Sequence, residues 1–191
     1  MDKILKNTLP LACGLLLVAC NQDAVVSAET AAPLEVPAVT AVPVEASISL
    51  EAKSGSQVAG ELRLVREGEG VRLTGQIRGL SANGEHAFHI HESGDCSAED
   101  GSSAGGHFNP TAQAHGRSAH GEHHLGDQDN LQANAEGVAE VNAFFPGVSL
   151  GDGAASDAAG KAVIVHAGVD DYTSQPTGNA GGRIACGVIK L

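Results

Sequence analysis

Short stretches in which apolar and polar residues alternate recur from residue 46 to the end of the chain. Seven of them, separated by Gly-rich segments, span 47–53, 58–66, 71–77, 85–91, 138–145, 161–166 and 183–190. A period of two residues places alternate side chains on one face of an extended strand, so each stretch is predicted to be a β-strand. An eighth strand is predicted near 129–133. The pattern therefore predicts an all-β sandwich or barrel over 46–191.

Two long segments between the predicted strands are polar and rich in Gly, and they run over about 92–126 and 167–182. Segments of this length without strands or helices of their own are uncommon in a compact domain and usually carry function. We therefore expect binding or catalytic groups on these two functional loops and on the strands beside them.

The N-terminal residues have the pattern of an export signal followed by a tether. Residues 1–19 combine two early Lys with an apolar run that is too short to span a membrane as a helix. The run ends in LVAC, which resembles the bacterial lipobox and implies that Cys20 is lipidated and becomes the mature N-terminus. An ordinary secretory peptide cleaved near Ala28 is the alternative. Residues 20–45 contain three Pro and are predicted to be a flexible tether.

Composition and charge narrow the possible functions and locations. Aromatic residues make up only 3% of the chain and Trp is absent, so the core must be aliphatic. The net charge of −12 argues against a nucleic-acid partner and against electrostatic binding to anionic lipid. The lipid on Cys20 is then the expected membrane attachment. Asn21, by resemblance to enterobacterial sorting, favours the outer membrane of a bacterial envelope, facing the periplasm.

Histidine is unusually abundant and clustered, since eight of the nine His fall between residues 86 and 124. Residues two apart in a strand point the same way, so His89 and His91 share one face. Three further His and one carboxylate follow: His107, His115, His124 and Asp127. Three imidazoles and one carboxylate suit tetrahedral zinc. The alternative is a solvated His-rich loop with accidental spacing.

The order of these motifs resembles the copper/zinc superoxide dismutases over nearly all of 46–191. The matching residues are Gly84-x-His86-x-Phe88-His89-x-His91, His107-Phe108-Asn109-Pro110 with His115-Gly116, His124-x-Gly126-Asp127-x2-Asn130, Val165-His166-x3-Asp170-Asp171, and the run from Gly178 to Ile189. On this resemblance the chain is identified as a member of that family. The implied fold is an eight-stranded Greek-key β-barrel, an immunoglobulin-like sandwich.

The resemblance implies a copper site and a zinc site that share one ligand. The copper ligands would be His89, His91, His107 and His166, and the zinc ligands His107, His115, His124 and Asp127. Asp170 would join His89 to His115 and so fix the orientation of both rings. The implied reaction is the dismutation of superoxide to oxygen and hydrogen peroxide by alternation of Cu(II) and Cu(I), with zinc redox-silent.

The resemblance also implies two catalytic residues. His107 would bridge the metals and donate a proton in the second half of the reaction, and Arg183 matches the arginine beside copper. Because superoxide is an anion and the chain carries −12, its capture needs local positive charge. Neither 92–106 nor 167–182 contains Lys, which makes Arg183 the expected source. The sequence does not place Lys161.

Cysteine usage fits export. Cys13 and Cys20 lie in the N-terminal segment, which leaves Cys96 and Cys186. In an oxidising compartment this pair can form a disulfide that closes a loop of about ninety residues, worth on the order of 4 kcal/mol in the chain-entropy model. The early place of Cys96 in its loop resembles bacterial members of the family. Two buried free thiols are the alternative.

Two other function classes compete with the enzyme. One is a metal-binding or copper-delivering protein without catalysis, and the other is a structural envelope lipoprotein. Such relatives typically lose copper ligands or the arginine, and here all are present. Monomer and homodimer both remain open. His86 is expected to be hydrogen-bonded below the site, whereas His120 and His123 have no assigned partner.

Overall fold

The alternating stretches form antiparallel strands in the computed structural model, which describes residues 44–191. The strands are β1 (Glu45–Ala52), β2 (Ala59–Glu67), β3 (Gly70–Arg78), β4 (Glu85–His86), β5 (Phe88–His91), β6 (Leu131–Gln132), β7 (Ala139–Pro146), β8 (Ala162–His166) and β9 (Arg183–Val188). Within this range the helical structure is one 3₁₀ turn, Ser102–Ala104. No helix among these residues is long and apolar enough to cross a bilayer. The predicted signal peptide and Cys20 lie outside the described residues.

Seven strands form one curled antiparallel sheet in the order β5-β8-β9-β1-β2-β3-β7. Strand β1 pairs with β2 along most of its length and with β9 at its end, so the sheet turns there. Strands β4 and β6 form a second, two-stranded sheet. Gln128, just before β6, donates from Nε2 to the Phe144 carbonyl of β7 at 2.8 Å. After β3 the chain crosses to β5 at the other end of the sheet, and it returns later as β7, which pairs with β3. This connection between strands that are not consecutive confirms the predicted all-β Greek-key class.

The core is aliphatic, as the composition predicts. Alternate residues of β1, among them Ile48 and Leu50, are buried while their neighbours are exposed. The same alternation buries Leu62 and Leu64 in β2. The rings of Phe88 and Phe145 meet edge to face with centroids 6.2 Å apart, which ties β5 to β7 across the interior.

The strand predicted over 85–91 is divided at Ala87, so the structure has nine strand segments where eight strands were predicted. Ala87 donates its N–H to the Gly168 carbonyl and accepts from the His166 N–H, both at 2.8 Å. The register of β8 against β9 also shifts between Val165 and His166. Irregularities of this kind re-aim side chains. This one lies beside the predicted metal site.

Cys96 and Cys186 form the predicted disulfide, with Cα atoms 5.7 Å apart and a sequence separation of 90. Cys186 belongs to a small buried cluster with Ala104, Ala162 and Ile164. Ala162 and Ile164 alternate along β8 with core residues, so this cluster lies on the outer face of the strand. The disulfide therefore fastens the first long loop to the outside of β8 and β9.

Candidate metal centre

Strand β5 presents His89 and His91 on the face opposite to Phe88 and Ile90. Phe88 and Ile90 are core residues, so the strand is held to the barrel interior while both rings point outward beneath the long loops. All four side chains are buried, none more than 1% exposed. The alternation read from the sequence thus produces a pair of imidazoles shielded from water.

His166 and His107 complete a group of four imidazoles with this pair. His166 is the last residue of β8 and follows the register shift, and His107 forms a β-bridge with His91. One nitrogen from each of the four rings lies within 4.8 Å of the others. We call this group the four-histidine group.

His107 also belongs to a second group, with His115, His124 and Asp127, whose ligand atoms again lie within 4.8 Å of one another. Asp127 Oδ1 lies 2.7 Å from His107 Nδ1 and 3.3 Å from His124 Nδ1, and Oδ2 lies 3.1 Å from His115 Nδ1. The backbone N–H groups of Gly116 and His124 donate to Asp127 Oδ2 at 3.1 and 2.8 Å. The carboxylate is therefore fixed at the centre of what we call the mixed group.

Six buried ring nitrogens in the two groups make no hydrogen bond of acceptable geometry, including the Nδ1 atoms of His115 and His124 that lie beside Asp127. They are Nδ1 of His89, His115 and His124, and Nε2 of His91, His107 and His166. An unpaired buried polar atom costs about 1–3 kcal/mol, so six converging on one region mark atoms that metal ions can coordinate. Four imidazoles suit copper, and three imidazoles with a carboxylate suit zinc. The residues present therefore fit both metals.

Backbone carbonyls select which nitrogen of two rings is free. His91 Nδ1–H donates to the Gly105 carbonyl at 3.0 Å, and His166 Nδ1–H donates to the Gly181 carbonyl at 3.2 Å. Each hydrogen bond places the ring proton on Nδ1 and leaves the Nε2 lone pair directed into the four-histidine group.

Asp170 forms hydrogen bonds with one residue of each group. Its Oδ2 accepts from His89 Nε2 at 2.8 Å and its Oδ1 accepts from His115 Nε2 at 3.0 Å. The Tyr172 N–H donates to the same Oδ1 at 2.7 Å, and Asp170 is only 1% exposed. These are the hydrogen bonds that the resemblance implies for this residue. They leave Nδ1 of both His free for a metal.

The two groups differ in their protonation. Burial and the neighbouring His89 lower the pKa of His166 to about 3, and burial lowers the pKa of His107 to about 4 against the opposing effect of Asp127. Burial would also lower the pKa of His115, but the carboxylates of Asp127 and Asp170 raise it to about 9. Metal binding at His115 therefore competes with a proton, whereas His166 is neutral at pH 7.

Arg183, the first residue of β9, is held by the first long loop. Its Nη1 donates to the Gly101 carbonyl at 2.7 Å and its Nη2 donates to the Gly105 carbonyl at 2.6 Å. Burial lowers the pKa of Arg183, but a guanidinium stays charged near neutrality. The Gly105 carbonyl also accepts from His91, so the cation and a ring of the four-histidine group share one acceptor.

The remaining basic candidates belong to neither group of metal-binding residues. Lys161 Nζ donates to the Glu92 carbonyl at 3.0 Å and lies 5.3 Å from the centroid of the core residue Phe108. His86 Nδ1 lies 2.9 Å from the His166 carbonyl, which is the supporting hydrogen bond expected for it. His120 is exposed, and His123 Nδ1 lies 2.7 Å from the His124 carbonyl.

Comparison with known proteins decides the family. Residues 58–189 match the family model described as copper/zinc superoxide dismutase. The chain belongs to the copper/zinc superoxide dismutase family. A protein named superoxide dismutase (Cu-Zn) 2 from Aquifex aeolicus (strain VF5) is 41% identical over 137 residues, 70% of this chain and 80% of its own length. A superoxide dismutase (Cu-Zn) from Caulobacter vibrioides is 42% identical over 137 residues, 69% of this chain and 78% of its own.

Two solved structures share the fold of this superoxide dismutase family member. The clock protein EA4 aligns with a TM-score of 0.69 at 33% identity and covers 79% of this chain and 96% of its own. A SOD-like protein from Bacillus subtilis aligns with a TM-score of 0.68 at 35% identity and covers 76% of this chain and 97% of its own. The chain is thus an oxidoreductase of the superoxide dismutase class, with copper and zinc as its cofactors and superoxide as its substrate.

Gly178 is a site residue whose role the motif alone does not explain. A Cβ atom at this position would lie 1.8 Å from Asp170 Oδ1 and 2.7 Å from His115 Nε2, and the backbone has φ of +63°. The chain therefore passes directly over the hydrogen bond between Asp170 and His115, where only hydrogen fits. Sequence reasoning does not find this role, because it depends on the distance between Gly178 and a buried carboxylate in the folded protein.

We predict that Gly178→Ala displaces the Asp170 carboxylate and speeds the loss of zinc from the metal-loaded protein by roughly 10- to 100-fold, as for other partners that orient metal ligands. Gly153→Ala is the matched control, because Gly153 has φ of +70° and open space where the Cβ would go. Both glycines have a similar positive φ, so the two variants differ mainly in the clash, and zinc release to a chelator compares them directly. Equal release rates would show that the close approach has no effect on the site.

Proposed function

We propose that the four-histidine group holds copper, that the mixed group holds zinc, and that His107 is a ligand of both. The observation that carries the proposal is the set of six buried, unpartnered ring nitrogens directed into two groups that share one residue. Bound copper would supply the one-electron chemistry by alternating between Cu(II) and Cu(I), while zinc would hold its ligands without redox change. The products would be oxygen from one superoxide, and hydrogen peroxide from a second superoxide and two protons.

His107 is the residue suited to deliver one of those protons. Its Nε2 is buried, unpartnered and part of the four-histidine group, while its Nδ1 faces Asp127. A proton held at Nε2 would lie where the reaction consumes it.

Arg183 is proposed to attract superoxide to the four-histidine group. The two loops beside it contain no Lys or other Arg over 92–106 and 167–182, and the first carries Asp95, Glu99 and Asp100. With a chain charge of −12, attraction must therefore be local. The paired hydrogen bonds to Gly101 and Gly105 hold the charge in one place, which lowers the cost of ordering it when substrate arrives.

Export and lipid anchoring are proposed from the sequence together with the disulfide. A stable disulfide forms in oxidising compartments such as the bacterial periplasm and is rare in the cytosol. The LVAC sequence ending at Cys20 supports acylation there, and Asn21 supports the outer membrane. Residues 20–45 would then tether the domain to the periplasmic face of the membrane, where it would protect the envelope from superoxide.

For the metal assignment, we predict that His89→Ala abolishes turnover but retains zinc, because His89 belongs only to the four-histidine group. Asp127→Ala should release zinc first, because Asp127 belongs only to the mixed group. Metal content by mass spectrometry, together with a superoxide consumption assay, checks both. Wild-type protein that takes up the two metals in a ratio far from one to one would contradict the assignment.

For Arg183, we predict that Arg183→Gln lowers the second-order rate constant for superoxide by roughly 4- to 16-fold, the effect of one charge about 5 Å away at an effective dielectric of about 40–80. Both metals should stay bound, and the rate should decline less with added salt. Arg183→Lys keeps the charge and is the matched control. A Gln variant with the wild-type rate and salt response would show that another group attracts the substrate.

For the anchor, we predict that Cys20→Ala moves the protein from the membrane fraction to the soluble fraction of the envelope without loss of activity, because the altered residue precedes the domain. Fractionation by immunoblot measures the location and mass spectrometry detects the lipid. An unchanged membrane location in an active variant would refute acylation at Cys20.

A further inference from the structure

Two amide side chains each hold the backbone of a residue on another loop. Asn130 Oδ1 accepts the Asp170 N–H at 2.9 Å, and Asn130 Nδ2 donates to the Asp170 carbonyl at 3.0 Å. Gln175 Oε1 accepts the His115 N–H at 2.8 Å, and Gln175 Nε2 donates to the His115 carbonyl at 2.8 Å. Each amide therefore pairs with both backbone groups of one residue, as a neighbouring strand would. We call these two pairings the amide clamps.

The residues held by the amide clamps are the two ends of one hydrogen bond. His115 Nε2 donates to Asp170 Oδ1 at 3.0 Å. Asn130 follows the first long loop and holds Asp170 on the second, whereas Gln175 lies on the second and holds His115 on the first. The amide clamps thus run in opposite directions across the same contact.

The other hydrogen bonds between residues 109–130 and residues 167–182 also involve side chains. Within the part of the chain that the structure describes, no backbone-to-backbone hydrogen bond joins residues 109–130 to residues 167–182. The distance between His115 and Asp170 is therefore not set by a strand ladder. The two amide clamps supply four hydrogen bonds to backbone at this point, which is the constraint a ladder would otherwise give.

Tyr172 fixes the orientation of the Asn130 amide. Its hydroxyl oxygen accepts from the Asn130 backbone N–H at 3.0 Å and from Asn130 Nδ2 at 2.9 Å. Arg117 covers the Tyr172 ring at 5.0 Å from the centroid and pairs with Asp129 at 2.7 Å. Asn130 Nδ2 is thus directed by two acceptors at once, and the opposite amide orientation would lose both.

We propose that Asn130 and Gln175 are positioning residues for the zinc ligand His115, and that they act by fixing both ends of its hydrogen bond to Asp170. The inference rests on the proposed zinc assignment of the mixed group. With both backbones held, the carboxylate sets the angle of the His115 ring and aims its free Nδ1 at the other ligands. Loss of either clamp should loosen zinc by roughly 10-fold, at the lower end of effects measured for groups that orient metal ligands.

The test uses isosteric changes in the full chain. Asn130→Asp and Gln175→Glu keep size and the accepting oxygen but replace the donating nitrogen with an oxygen that faces a carbonyl. Gln132→Glu is the matched control, because Gln132 Nε2 donates to the carbonyls of Asn83 and Gly84 at 3.2 and 3.1 Å on an exposed edge. All three changes add one negative charge, which by itself favours a bound cation. Faster zinc loss is therefore attributable to geometry.

Three readouts are needed: the rate of zinc transfer to a chelator, the visible spectrum with Co(II) in place of zinc, and the urea midpoint of the metal-free chain. We expect both clamp variants to release zinc about 10-fold faster and to shift the Co(II) bands, with the control unchanged. We also expect the double variant to fall short of the product of the single effects, because both clamps act on one contact.

The outcomes separate the inference from the function on which it rests. A wild-type chain that fails to retain zinc overturns the zinc assignment itself. A wild-type chain that retains zinc, with clamp variants that match the control, overturns the role of Asn130 and Gln175. Variants whose urea midpoint falls in proportion to their zinc retention, with unchanged Co(II) bands, also overturn it, because that is the result of a general loss of stability.

Discussion

Burial of six unpaired imidazole nitrogens is the constraint on which the rest of this domain depends. Each would be unfavourable by about 1–3 kcal/mol if it stayed unpaired, which together exceeds or matches the stability of a typical small domain. Their convergence is therefore tolerable only if the surrounding structure supports metal coordination. The interrupted strand at Ala87, the register shift before His166 and the long loops all serve that arrangement rather than regular sheet pairing.

The hydrogen-bond acceptors around the four-histidine group differ from those around the mixed group. Neutral backbone carbonyls orient His91 and His166, while burial lowers the pKa of both rings and keeps them uncharged, as the proposed copper site requires. The carboxylates of Asp127 and Asp170 lie beside His115 instead, and they would compensate the charge of the proposed zinc ion, which does not change its oxidation state. Asp170 accepts a hydrogen bond from one residue of each group, so a single buried carboxylate contributes to the orientation of both the His89 and the His115 ring.

The sequence predicts most of the strands from local alternation, whereas the two groups of residues that the structure brings together are implied by the family resemblance. Alternation fixes which face of β5 carries His89 and His91, and the motif order carries the resemblance from which the family follows. It does not predict the break at Ala87, since that depends on hydrogen bonds with distant residues. The close passage of Gly178 over Asp170 is likewise a tertiary distance with no local signature. The sequence does not place Lys161 for the same reason, because its contact with Phe108 joins residues far apart in the chain.

The carbonyl of Gly105 has a consequence for any attempt to make the enzyme faster. Because it accepts from both His91 and Arg183, relocating the cation would also disturb a ring of the four-histidine group. Substrate attraction and ring orientation therefore cannot be optimised independently at that position. Engineering of the electric field should leave Arg183 alone and neutralise acidic residues further out, of which Glu99 is exposed. The shared Gly105 carbonyl thus restricts substitution of Arg183 more than substitution of exposed acidic residues.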